Sequence, residues 1–450
     1  MAADDERGLD CGAIAAPTAA ASHRPPRLPA IAALLLRDPA IALALGLCAA
    51  FISIRYGDLI DRRVYDSFNI LFQSDPPRVI SNMSERFSRW QNATAAHPLL
   101  PILGLPPVKL LARFGADPVT AIGRLLAIAA ALSTACLYLS ARGLGLDRRP
   151  ATLLTGMFLA SATFLHWYAI VESYAFAGLS VLLMLATGIR SAGRKAGLGW
   201  LVAASGTLAI TITNWSLALL FAVFTLPRRR MLLMVGGSFA IVLALAIVQS
   251  RLFPGAFLFL DPKGLARASQ YNGLSMHRLG VEWNPLASLR SALFTSAVAP
   301  PPVIATVDTD FGPFTLVTNQ FQPWRAMPWP GLAATGLWAL LLAIGAWTAL
   351  ATRPRPATWP PLIGFALSQV AFHSVYGEIT FLYSADFFPA LLLLAGLGWH
   401  ARRLRPLVEG AMLLFILVGG IHNSVQFRTA AQKAQTVAIA KAKGQAAGRL

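Results

Sequence analysis

Residues 228–249 read RRRMLLMVGGSFAIVLALAIVQ, three arginines followed by nineteen residues without a charged side chain. A helix of nineteen residues is about 30 Å long, which is the thickness of the hydrocarbon layer of a bilayer. Arginines at one end of such a helix are typical of its cytoplasmic end. This segment therefore predicts a membrane protein.

The rest of the chain repeats this pattern. Of its 450 residues 56% are hydrophobic and 13% are charged, and the mean hydropathy is +0.58. Only helices and closed barrels satisfy all backbone hydrogen bonds inside lipid, and long apolar runs indicate helices. We therefore expect an all-α polytopic bundle of about eleven spans, with loops and interfacial helices on its outer face.

The net charge of +18 has a specific distribution. Short basic clusters separate the apolar runs, as expected for cytoplasmic turns, and they form no continuous basic face for nucleic acid. Besides 228–230, the clusters are Arg148 and Arg149; Arg190, Arg194 and Lys195; Arg353 and Arg355; and Arg402, Arg403 and Arg405.

The charge rule also predicts the organisation of the chain. Residues 1–36 are expected to be a disordered cytoplasmic tail, 37–421 the membrane domain, and 422–450 a basic C-terminal tail. Two long loops, 54–118 and 251–329, are placed outside. The C-terminal tail falls outside as well, where its lysines and arginines disagree with the charge rule.

Two segments decide this topology. Residues 99–114 contain Pro101, Pro106 and Pro107, so we expect an interfacial or re-entrant helix there and not a span. Residues 198–226 have basic clusters at both ends, which two short crossings with a turn near Asn214 would satisfy. Most of the acidic residues then lie on the outer side, and we expect any chemistry there.

The first outer loop contains Asp75-Pro76-Pro77-Arg78. One helical turn would bring the carboxylate and the guanidinium to the same surface, where Asp75 could act as a general base. Asp75 could equally cap the helix that starts at Pro76, and both roles can hold together. His97, where the chain re-enters the membrane, could bind a phosphate or a metal, or make only an interfacial hydrogen bond.

The order of these features resembles the GT-C superfamily of membrane glycosyltransferases, which includes protein O-mannosyltransferases and the aminoarabinose transferase of lipid A. The resemblance rests on a set of motifs in their order along 37–400. They are Asp75 and Arg78, His97-Pro98-Leu99, Asp117-Pro118-Val119, Glu172-Ser173-Tyr174, and Phe381 to Ser384 with Pro389. Pro76 stands where the family has a second acid, and no arginine precedes Tyr383.

The resemblance implies transfer of a sugar from a polyprenyl-phosphate carrier to a lipid, glycan or protein acceptor, with inversion. Asp75 would be the single base. Substrate and phosphate contacts would come from Arg78, His97, Lys109, Glu172 and Tyr383, with Lys263 and His277 as weaker candidates. No metal-ligand spacing is present, and a divalent metal cofactor stays open. The expected location is a bacterial inner membrane.

Two other classes of function remain open at this stage. A transporter or flippase of a lipid-linked or small polar substrate would place charged residues or broken helices at mid-membrane. A non-catalytic assembly protein would tolerate replacement of Asp75.

Overall fold

The computed structural model describes residues 28–192, 196–269, 284–307, 314–319, 322–353, 357–376 and 380–446. The first ten helices are α1 Leu28–Gly57, α2 Pro76–Ser84, α3 Leu100–Ala112, α4 Pro118–Gly143, α5 Arg148–Ala160, α6 Ala162–Trp167, α7 Tyr174–Ser191, α8 Leu198–Ile210, α9 Trp215–Thr225 and α10 Arg228–Leu252. The remaining elements are α11 Pro262–Ser269, α12 Pro285–Arg290, β1 Val303–Val307, β2 Phe314–Thr318, α13 Trp329–Thr352, α14 Trp359–Val375, α15 Ser384–Gly396, α16 Arg405–Leu414 and α17 Gly420–Ala446.

The prediction of an all-helical membrane bundle is confirmed. Within the described ranges, seven helical segments are long and apolar enough to cross a membrane, and three shorter apolar helices, α3, α8 and α9, accompany them. Residues 1–27 lie outside the described part. Helix α1 begins at Leu28, within the region 1–36 that was predicted to be a tail.

The bundle is arranged around the segment Thr380–His400, which contains α15. In its most apolar 18-residue stretch 94% of the residues are buried, whereas the value for α10, at the periphery, is 17%. Glycines let backbones approach closely, as is usual between helices in lipid. A Cβ on Gly46 of α1 would lie 2.9 Å from the carbonyl oxygen of Ala131 in α4, and one on Gly345 of α13 would meet the backbone of α15.

One ion-pair cluster joins three helices at the end predicted to be cytoplasmic. Asp38 of α1 accepts hydrogen bonds from Arg142 Nε at 3.2 Å and Arg148 Nε at 2.7 Å, and from the Tyr138 hydroxyl. The cluster fixes the inner ends of α1, α4 and α5.

The run 198–226 is divided as predicted. Helix α8 ends at Ile210, a short 3-10 turn covers Ile212–Asn214, and α9 begins at Trp215. The turn does not lie on an open surface, because Asn214 is completely buried. Helices α5 and α6 are separated at Ser161, whose hydroxyl caps α6.

The C-terminal region differs from the predicted tail. The segment Arg402–Lys443 is a long helical rod of 42 residues, about 60 Å at 1.5 Å per residue and twice the hydrocarbon thickness. The C-terminal half of α17 packs on the first outer loop. Gln435 Nε2 donates to Asp61 Oδ2 at 2.9 Å, and Lys441 Nζ donates to the Phe68 carbonyl. This half of α17 therefore lies on the same side as that loop.

The second outer segment also contacts the first loop. Strands β1 and β2 form an antiparallel hairpin with Val303 opposite Thr318. The Phe72 N–H donates to the Val317 carbonyl at 2.8 Å, and the Val317 N–H donates to the Ile70 carbonyl at 2.7 Å. The backbone just before Asp75 is thus attached to β2.

Candidate functional site

Asp75 is the N-cap residue of α2, directly before the first helical residue, Pro76. Its side chain makes no capping hydrogen bond, and Pro76 follows it. Instead, Asp75 Oδ2 accepts from Arg78 Nε at 3.3 Å, and the side chain is 34% exposed. Of the two roles left open by the sequence, side-chain capping is excluded by this geometry. Oδ1 accepts no hydrogen bond from a described residue.

Glu172 lies directly behind this pair, although it is 97 residues from Asp75 along the chain. Its Oε1 accepts from the Asp75 N–H at 3.2 Å and from Arg78 Nη2 at 3.3 Å. Its Oε2 accepts from the Ser173 N–H at 2.7 Å, and the side chain is 1% exposed. The structure therefore brings together three of the predicted site residues, Asp75, Arg78 and Glu172.

The electrostatics of this group follow from burial. Burial alone would lower the pKa of Arg78, but the carboxylates of Glu172 and Asp75 outweigh it, and the pKa is raised above its usual value. Burial raises the pKa of Glu172, an effect that Arg78 opposes. Arg78 is thus a permanent cation, with Glu172 on its buried side and Asp75 on its exposed side.

A strained turn positions Asp75. Asn69, Phe72 and Gln73 all have positive φ angles, of 63°, 51° and 61°, a conformation that costs side-chain-bearing residues free energy and often marks functional sites. Phe72 is fully buried, and its ring packs edge-on against His166 and Phe381 at centroid distances of 5.1 and 5.5 Å. The aromatic packing holds the turn in this conformation.

Two tyrosines lie beside the acidic group. Tyr174 and Tyr383 pack edge to face at a centroid distance of 5.7 Å, and both interact electrostatically with Asp75 and Arg78. Neither hydroxyl is hydrogen-bonded to a described residue. Tyr383, predicted from the sequence as a substrate contact, thus packs on Tyr174, which follows Glu172 by two residues.

His97 is held by the helix break between α8 and α9. Its Nδ1 lies 2.9 Å from the Ile210 carbonyl oxygen, and the Leu99 N–H donates to the Ala209 carbonyl at 2.8 Å. Burial and the nearby Arg78 guanidinium lower the pKa of His97 to about 4. The imidazole is therefore neutral at pH 7, which fits a hydrogen-bonding role and not the cationic role considered for it.

The other predicted cations are not brought to this group. Lys109 is exposed on α3, and within the described part of the chain its side chain makes no hydrogen bond or ion pair. Lys263 is exposed on α11, and His277 lies outside the described residues. Arg78 is thus the cation that contacts Asp75 and Glu172.

The described residues contain no group of three or more His, Cys, Asp and Glu that could hold a metal ion. Glu172 uses both of its oxygens to accept N–H groups. Of the two carboxylates at this site, only that of Asp75 therefore keeps an oxygen free of hydrogen bonds from described residues and available to a cation. The divalent metal left open by the sequence stays a prediction.

Comparison with known proteins finds similarity among solved structures. No family model matches the chain, and no curated protein matches it either. The crystal structure of the oligosaccharyltransferase of Archaeoglobus fulgidus in the apo form aligns with a TM-score of 0.46 and 12% identity. The alignment covers 87% of this chain but 56% of that one, so this chain spans little more than half its length.

Sequence reasoning missed several residues around the site. Phe72 carries no motif, and its importance appears only in the turn geometry. The sequence did not single out Asp386, which is 1% exposed and accepts a hydrogen bond from Asn214 Nδ2 at 3.0 Å. The available signal was a carboxylate inside the apolar run 381–399, because such residues are rare in membrane helices and commonly functional.

The arrangement has a defined chemical capacity. Asp75 offers an exposed carboxylate oxygen that can accept a proton. Arg78 keeps its Nη1 free of hydrogen bonds to described residues, so it can donate to an anion. Glu172 neutralises and orients Arg78 from the buried side. The group can therefore take a proton from one reactant and stabilise negative charge on another.

Proposed function

We propose that this protein is a membrane glycosyltransferase of the GT-C type, which moves a sugar from a polyprenyl-phosphate carrier to an acceptor at the outer face. The observation that carries the proposal is the Asp75–Arg78–Glu172 group, an exposed base joined to a buried, fixed cation at the edge of a helical membrane bundle. We further propose a bacterial inner membrane as its location and a lipid, glycan or protein as acceptor.

The reaction would proceed in one displacement. Asp75 Oδ1 accepts the proton of the acceptor hydroxyl while the acceptor oxygen forms a bond to the anomeric carbon. The bond from that carbon to the phosphate oxygen breaks, and the polyprenyl phosphate leaves with the electron pair. Attack from the side opposite the leaving group inverts the anomeric configuration, so no second carboxylate nucleophile is needed.

Arg78 would stabilise the leaving phosphate. Charge accumulates on the phosphate in the transition state, and a preorganised donor is most effective at that point. Because Glu172 and Asp75 hold the guanidinium on two of its nitrogens, little reorganisation is required when the phosphate binds. Tyr383 would contact the substrate, and His97 would serve as a neutral hydrogen-bonding group.

The test is transfer by purified protein in lipid nanodiscs with radiolabelled polyprenyl-phosphate sugars and total membrane lipid as acceptor. Asp75→Asn should reduce transfer at least about a hundredfold, as expected for loss of a general base. The matched control is Asp58→Asn, since Asp58 is an exposed acid of the same loop and its replacement should leave transfer unchanged. Full activity of Asp75→Asn would overturn the mechanism.

The same preparation distinguishes the transporter alternative. A flippase would move the labelled donor between the leaflets of a sealed vesicle without changing it chemically. We expect label to appear in a new product, with release of polyprenyl phosphate in equal amount. Movement of intact donor with no product, unaffected by Asp75→Asn, would favour the transporter.

A further inference from the structure

A second polar group lies inside the bundle, next to Tyr383. Asp386, in the first turn of α15, accepts a hydrogen bond at Oδ1 from Asn214 Nδ2 at 3.0 Å. Its Oδ2 accepts none from a described residue, and the described part of the chain shows no ion pair to it. A carboxylate enclosed by apolar helices is costly unless other groups satisfy it.

Other polar atoms around this pair are also left without hydrogen bonds. In the described structure, buried side-chain atoms without a partner include Asn214 Oδ1, Thr213 Oγ1, His373 Nδ1 and Thr380 Oγ1. More than nine in ten buried polar groups of native proteins are paired with protein or ordered water, so these atoms have hydrogen-bonding capacity left for water or a polar ligand.

Hydrogen bonds through Gln369 and ring stacking link Thr213 and His373 to Tyr383. Gln369 Nε2 donates to the Thr213 carbonyl at 3.0 Å, and its Oε1 lies 3.1 Å from His373 Nε2. The His373 ring stacks on Tyr383 at a centroid distance of 4.1 Å. The cluster therefore extends from the α8–α9 break, across α14, to the start of α15.

Tyr383 connects this cluster to the catalytic group. It precedes Asp386 by three residues, and its ring packs at a centroid distance of 5.7 Å on Tyr174, which follows Glu172 by two residues. A molecule that binds between Asp75 and Asp386 would therefore contact the aromatic side chains of Tyr383 and Tyr174.

The chemistry of this set matches a sugar ring. A carboxylate accepts hydrogen bonds from hydroxyl groups, and an amide can donate to one hydroxyl and accept from another. Aromatic rings cover the apolar faces of the same ring. We propose that Asp386 and Asn214 bind adjacent hydroxyl groups of the transferred sugar and so determine which sugar is accepted. This inference rests on the proposed function.

The expected selectivity can be derived from the hydrogen bonds. A site built to bind a hydroxyl strongly rejects an analogue that lacks it or points it elsewhere, because the polar groups of the site are then left unpaired. Loss of a charged hydrogen bond should change the preference about ten- to hundredfold, at about 1.4 kcal/mol for each factor of ten.

The test measures kcat/KM of the nanodisc-embedded protein for polyprenyl-phosphate-linked glucose, mannose, galactose and xylose. The wild-type protein should prefer one donor. Asp386→Asn should reduce the ratio of the best donor to the second best at least about tenfold, mainly through KM, while Asp75→Asn reduces kcat for all donors. An unchanged ratio in Asp386→Asn overturns the proposal.

Asn214→Ala provides a second, independent variant and should change the same ratio in the same direction. Asp38→Asn is the control, because Asp38 is a carboxylate bonded to arginines at the opposite end of the bundle, and the ratio should persist. Thermal unfolding of each variant identifies those that are folded. If the ratio persists while Asp75→Asn abolishes transfer, only this inference fails; if no donor is transferred by wild type, the proposed function fails.

Discussion

The buried pair of Arg78 and Glu172 allows a double-mutant cycle with a defined outcome. Arg78→Met leaves the Glu172 carboxylate 1% exposed and without its guanidinium partner, and breaking a buried pair in this way costs about 3–5 kcal/mol. Glu172→Gln keeps an amide oxygen for a backbone N–H and leaves Arg78 with Asp75. Its cost should be about 1–3 kcal/mol.

The double variant Arg78→Met/Glu172→Gln removes both charges. Its loss of unfolding free energy should be smaller than the sum of the single losses by about 2 kcal/mol, within the range found for groups in direct contact. Its transfer activity should not recover, because the proposed phosphate-binding cation is gone. The double variant would thus recover part of the stability without recovering transfer activity.

The loss in Arg78→Met should depend on pH. Burial raises the pKa of Glu172, and without Arg78 only the backbone N–H groups of Ser173 and Asp75 oppose it, so the pKa rises further above its unfolded value of about 4.3. The folded state then binds the proton more tightly than the unfolded state, and stability falls as pH rises. The variant should be closer to wild type at pH 5 than at pH 8.

The assay is reversible denaturant unfolding in detergent micelles, monitored by tryptophan fluorescence, for all four proteins of the cycle. The control is the same cycle on Arg62 and Asp117, an exposed pair 2.9 Å apart, which should couple by less than about 1 kcal/mol. Strictly additive losses for Arg78 and Glu172 would refute the reasoning that burial makes this pair interdependent.

Two further predictions concern the neighbourhood of the site. Phe72→Ala should lower the free energy of unfolding by about 3–5 kcal/mol, because a fully buried ring is lost, and it should also reduce transfer. Phe87→Ala, in the same loop but 74% exposed, should change neither quantity. Equal effects of the two substitutions would contradict the role given to the turn. Because the pKa of His97 is lowered to about 4 from about 6.5, the unfolded state binds the proton first as pH falls through that interval, and stability decreases. In His97→Gln, unfolding measured from pH 7 to pH 4 should show a shallower decrease, and identical slopes would exclude His97 as its source.

Part of the site was accessible from sequence because its residues are close along the chain. Asp75 and Arg78 are three residues apart at the start of a helix that Pro76 predicts, so their contact needs no tertiary information. The aromatic anchor Phe72 was not accessible, because positive φ angles at residues other than glycine leave no pattern in the sequence.

The sequence by itself determined the membrane class, the helical fold and the break within 198–226. These properties depend on the free energy of transferring each segment into lipid and on the charges at its ends, both of which are sums over neighbouring residues. The bilayer also fixes the axis along which each of these segments crosses. The approximate positions of the helices follow from the sequence for that reason.

Only the tertiary structure decided which helices meet. It brought Glu172 behind Arg78, Asn214 onto Asp386, and the C-terminal half of α17 onto the first outer loop. Helices in lipid gain little from hydrophobic burial against one another, so their pairing depends on close packing at small residues and on particular hydrogen bonds between distant segments. These contacts join residues 94 to 374 positions apart, and no local pattern records them.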